Sequence, residues 1–101
     1  MRVYDLSSME PYPYEQREKN VFHQEREFKT RIVALAPGET MPECEMSSHV
    51  IFLVLKGAVT VRVNGEEAAL REAQCLITEP ATVSMLTDVG VRLLGIQVAR
   101  N

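Results

Sequence analysis

The chain has no Cys-x-x-Cys pair, no Gly-x-Gly-x-x-Gly and no P-loop, which excludes zinc-ribbon, thioredoxin-type and glycine-loop nucleotide sites. It lacks a basic excess. Eleven Lys and Arg stand against 14 Asp and Glu, a formal charge of −3, which argues against nucleic acid as a partner. It also lacks a long hydrophobic run: the longest, around His49 to Leu55, is far too short for a membrane span. The opening residues, MRVYDLSSMEPYPY, hold no apolar signal-peptide core. A soluble, cytoplasmic protein with no membrane partner is therefore expected. Cysteine is scarce. Cys44 and Cys75 lie far apart and, without a secretory signal, read as reduced thiols. Internal repeats and low-complexity segments are absent too.

What is present is an ordinary globular composition, 46% apolar and 25% charged. At 101 residues it implies a single domain, 1–101, able to bury well over half of its unfolded surface. Met1 to Leu6 alternates moderately and reads as a short first strand. Pro11 and Pro13 keep Ser7 to Tyr14 out of helix. Glu15 to Asn20 reads as a solvated loop. A helix over Glu15 to Arg26 competes on propensity, but its apolar content is too thin for a buried stripe.

Strand signals then follow one another: Val21 to Gln24, Phe28 to Leu35, and, after a turn at Pro37-Gly38, the apolar run Val50 to Leu55 closed by Lys56-Gly57. Ala58 to Val63 alternates cleanly into Asn64-Gly65, a hairpin turn that needs positive φ at both central residues. Ala68 to Leu70, Cys75 to Thr78, Val83 to Leu86 and Val91 to Ala99 complete the set. Short strands separated by turn signals predict an all-β antiparallel sandwich or barrel. The outer face of Val50 to Leu55 would expose Ile51, Leu53 and Leu55 unless something covers it. A patch of that kind predicts a homodimer.

The densest group of chemically able side chains lies in Ala36 to Gly57: Met41, Cys44, Met46 and His49. Its spacing resembles the first motif of the cupin family, a Gly, five residues, His-x-His, three or four residues, Glu, six residues, Gly. Gly38 and Gly57 match its ends. Cys44 and Met46 then stand where the histidines belong, and Val50 stands at the glutamate. In the second motif, Pro80 matches the proline, while Gln74, Thr82 and Met85 replace the two glycines and the histidine. The resemblance covers about Arg31 to Val98 and implies a small cupin-type jelly-roll barrel with a degenerate metal site. The harder divalent ions of that family want imidazole and carboxylate donors, which these four positions do not supply.

Three readings of this site arise. In the first, the barrel is metal-free, has no cofactor and no catalytic residue, and its interior, lined by Cys44, Met46, Val50, Phe52 and Met85, binds a small, largely apolar ligand or is filled core. In the second, Cys44, Met46 and Met85 form a soft-metal site of the Cu(I) type, with Met41 and His49 as helpers. Strand parity turns His49 away from Val50 and so away from the interior. In the third, Cys44 is a nucleophile with His49 or His23 as base, although the flanking Glu43 and Glu45 push its thiol pKa upward. Cys75, beside Leu76 and Ile77, reads as a core thiol. His23 reads as exposed among polar residues. Tyr4, Tyr12 and Tyr14 are placed at a barrel edge or against a partner subunit.

Overall fold

Period-two alternation builds eight strands that hold more than half of the chain. The computed structural model describes residues 1–99. Eight strands form one curled antiparallel sheet: β1 Val21–Gln24, β2 Phe28–Leu35, β3 Thr40–Met46, β4 His49–Val63, β5 Glu66–Arg71, β6 Cys75–Thr78, β7 Ala81–Leu86 and β8 Val91–Val98. The main path runs β1-β2-β8-β4-β7-β3, with β5 and β6 also paired to β4. The all-β expectation holds.

Strand β4 belongs to both halves of the barrel. Its first part, His49 to Gly57, pairs with β8, and with β6 over Val50 to Leu53. Its second part, Ala58 to Val63, pairs with β5, and with β7 over Thr60 to Val63. The sequence pattern predicts two strands here, divided by a turn at Lys56-Gly57. Gly57 instead takes φ +86° inside a continuous strand, next to a register shift between Val54 and Lys56. Val50, Phe52 and Val54 face the core before the shift, and Val59 and Val61 face it afterwards, so the inward parity changes from even to odd. A left-handed glycine absorbs that change without ending the strand.

The turn before β8 locks against this point. The Ala58 N–H donates to the Gly90 carbonyl, 3.2 Å. The buried Thr87 hydroxyl donates to the Ala58 carbonyl, 2.6 Å, and accepts from the Gly90 N–H, 2.9 Å. Backbone groups that would otherwise be orphaned at the closed end of the barrel are paired in this way.

Other expectations are corrected. Residues 1–5 form no strand; Asp5 caps a single 3-10 turn, Leu6–Ser8, by accepting from the Ser7 N–H. Glu15 to Asn20 is not an irregular loop but most of a 3-10 segment, Tyr14–Asn20, kinked at Gln16. The competing helix is thus partly right, and ends before β1. Thr40–Met46 is a strand that Pro42 and two glutamates disguise; its register slips between Met41 and Cys44. Cys75 is exposed rather than a core thiol, because β6 turns Leu76 inward.

The outer face of β4 is only half-buried at Ile51, Leu53 and Leu55, and Ile77 of β6, opposite Ile51, is 67% exposed. The β2 side of that face is covered. Ile32, opposite Leu94, is 2% exposed yet lies outside the inner core cluster. Arg92, opposite Ala34 on this side, donates to the carbonyls of Leu6 (3.5 Å), Ser7 (2.9 Å) and Met9. The N-terminal residues therefore run as a strap across the back of β2 and β8. Tyr4 fastens the strap further along, edge-on to Phe22 and 2.8 Å from His23 Nδ1.

Candidate functional site

Between the curled sheet and the segment Tyr12 to Asn20 lies a cavity of about 260 Å³. One wall comes from β3. Cys44 stands opposite Val83 and Met46 opposite Ala81, so both face inward, and Met41 joins them across the register slip. Val50 and Phe52 of β4 supply the apolar floor. Four of the five expected pocket residues, Cys44, Met46, Val50 and Phe52, therefore line one cavity. Met85 does not: it pairs with Met41 and Val61 and is packed into the core.

The opposite wall was not anticipated. Across the sheet, Lys29 of β2 pairs with Gln97 of β8, which pairs with Val50 of β4. In the next inward row, Arg31 pairs with Gly95, which pairs with Phe52. Residues directly opposite share a face. Lys29, Arg31 and Gln97 therefore look into the barrel with Val50 and Phe52, and all of them line the cavity. Gly95 makes the room. A Cβ added there would sit 3.6 Å from the Phe52 ring and 3.7 Å from Arg31 Cγ, so both side chains lie over bare backbone. Arg31 Nη2 donates to Gln97 Oε1 at 3.3 Å. Charged residues on an alternating strand read as solvent-facing, which is why the sequence hid this wall. The available signal was that Val33 and Leu35, the core residues of β2, share the parity of Lys29 and Arg31.

The segment over the mouth is held by its own side chains. Asn20 accepts from the Tyr12 N–H (2.8 Å) and donates to the Tyr12 carbonyl (3.0 Å), closing a nine-residue loop onto itself. Tyr14 packs against the core, and the Arg17 guanidinium lies 4.3 Å from its ring centre. Tyr12 and Tyr14 thus cap the barrel's open end, while Tyr4 belongs to the strap on the other face.

Both histidines lie away from the cavity. His49 is exposed and pairs with Val98 on the outer face, as parity required. His23 is half-buried, not exposed, between the Tyr4 hydroxyl and Glu25 Oε2, each 2.8 Å away, and stacks on Phe28. Neither is placed to act as a base for Cys44. With iodoacetamide at neutral pH, Cys75 is expected to be alkylated at least several-fold faster than the half-buried Cys44; peptide mass mapping that found Cys44 modified first would restore the nucleophile reading.

Among the described residues, no group of three or more His, Cys, Asp or Glu is placed to hold a metal ion. Cys44, Met46 and Val50 do not fit the harder ions bound by nitrogen and oxygen donors. Among the described residues, two charged groups, Asp5 and Arg62, are shifted from their ordinary pKa values, and both belong to the surface. The Ser7 hydroxyl and N–H hold the Asp5 carboxyl below the usual range, and the Glu67 carboxylate bonded to Arg62 raises the guanidinium.

No protein-family model matches the sequence, and no curated protein matches it. Solved structures do. A protein of Thermus thermophilus, TT1209, superposes with TM-score 0.81 at 24% identity, over 100% of both chains. The cupin domain of Cnp3 from Schizosaccharomyces pombe gives 0.81 at 19% identity, covering 97% of this chain and 74% of that one. A cupin superfamily protein of Desulfitobacterium hafniense gives 0.72 at 16% identity, over 79% and 74% of the two chains. The strand order and these superpositions agree: the chain has the small all-β barrel fold of the cupin superfamily.

Proposed function

We propose that the protein binds a small, largely apolar organic molecule inside its barrel, without a metal of the usual cupin kind. The observation that carries this reading is the cavity of about 260 Å³ walled by Met41, Met46, Val50 and Phe52. That size lies just under the roughly 300–1,000 Å³ usual for ligand sites, which favours a compact molecule of about one ring. Methionine suits such a wall because its flexible thioether adapts to the shape of a guest.

Gly95 offers the test. Its neighbours stand at ordinary contact distance, so a larger side chain here fills the cavity between Arg31 and Phe52. Benzyl alcohol titrated into the protein is expected to give saturable NMR shifts at Phe52 and Met46. The Gly95→Val variant, still folded by circular dichroism, is expected to lose affinity by about tenfold or more, since the guest's buried contacts go with the space. Equal binding by the variant, or no saturable shift in the original chain, would remove the reading.

A further inference from the structure

The cavity has one charged corner, and it is loosely filled. The Arg31 side chain is only 16% exposed. Its guanidinium carries five N–H donors. Gln97 takes one of them, and Glu18 Oε1 stands 3.7 Å from Nη2, beyond hydrogen-bond distance. The Lys29 side chain, in the neighbouring row of the same wall, makes no ion pair or hydrogen bond among the described residues. Arg17 adds a third cation at the rim. Glu18 and Glu45 also line the cavity, so three cations meet two carboxylates there, a small positive excess in a chain of net charge −3.

Resting on the cavity's being a binding site, we infer that its ligand is a small monocarboxylate, seated on Arg31 between Lys29 and Gln97, and that Glu18 is an internal stand-in which this carboxylate displaces. The planar fork of a guanidinium matches the two oxygens of a carboxylate, and a partly buried site strengthens that pairing. The walls beside this corner, Val50 and Phe52, are hydrocarbon, which suits a single charge on an apolar body better than a doubly charged phosphate. Glu18 itself presents the matching group. Its side chain is 73% exposed and reaches Arg31 from the loop closed by Asn20, a geometry of weak, screened attraction. A ligand carrying its carboxylate on an apolar body gains the burial that Glu18 lacks. When it enters, Glu18 swings into solvent, where its charge is well hydrated.

The experiment compares benzoate, benzamide and benzyl alcohol by calorimetry against the original chain, Glu18→Gln, Arg31→Gln and Arg31→Lys. The original chain is expected to prefer benzoate to benzamide by about tenfold or more. Arg31→Gln brings benzoate and benzamide to equal affinity, and Arg31→Lys, which keeps the charge without the fork, falls between. Glu18→Gln tightens benzoate several-fold, leaves benzyl alcohol unchanged, and gains less in high salt. If the three probes bind the original chain equally, the carboxylate assignment falls and the binding cavity stands. Should Glu18→Gln weaken benzoate, or tighten all three probes alike, the stand-in role is overturned. If no probe binds any form, the cavity reading falls with it.

Discussion

Replacing Gly57 by alanine is expected to lower the unfolding free energy by roughly 3 kcal/mol or more and the melting temperature by roughly 10–20 °C. Two costs combine. At φ +86° the backbone lies in the left-handed region, and a Cβ there would stand 2.1 Å from the Gly90 carbonyl oxygen. That oxygen cannot easily retreat, because it accepts from the Ala58 N–H within a turn pinned by Thr87. Gly65 separates the costs. It also has positive φ, +85°, but nothing lies within 4 Å of its added Cβ. Gly65→Ala should therefore show only the conformational part, on the order of 1 kcal/mol. Urea melts of the two variants give the comparison, and equal losses would mean that the close approach to Gly90 contributes nothing.

Removing the Arg92 guanidinium is expected to free the strap. In Arg92→Ala the carbonyls of Leu6, Ser7 and Met9 lose their shared donor. Hydrogen bonds to a charged donor contribute about 1.5–3 kcal/mol each when well shielded. These are partly exposed, so a total near ~2 kcal/mol is expected. The diagnostic is local: hydrogen exchange should rise over residues 1–12 while β4 and β8 keep their protection. Unchanged exchange in that segment would show that Tyr4 and its contacts hold the strap without Arg92.

Most strands were legible because each alternates strictly or is apolar throughout, and because Asn64-Gly65 admits one common kind of turn. Legibility failed where a local rule had a second solution. Lys56-Gly57 reads as a turn, yet a left-handed glycine can also shift a strand's parity in place. Pro42, Glu43 and Glu45 break the strand signal, yet β3 is an edge strand and keeps its polar residues outside. The sulfur-lined wall followed from the resemblance to the cupin first motif, which put Cys44 and Met46 at the histidine positions. The cationic wall did not. Lys29 and Arg31 share the inward parity of Val33 and Leu35, but the room for Arg31 comes from Gly95, 64 positions away and in no local window with it.

The order of the strands has a consequence for synthesis. β8, the last strand in chain order among the described residues, lies between β2 and β4 and joins Phe28 to Val98 and Leu35 to Val91. Until it emerges from the ribosome, β2 and β4 each offer a bare, apolar edge that nothing made so far can satisfy. The β4–β5 hairpin can form early, since its turn is local, but the wall carrying Arg31 meets the floor carrying Phe52 only when β8 arrives. The cavity is thus the last part of this barrel to close, and a nascent chain stalled before Val91 would be a barrel split open along that cavity.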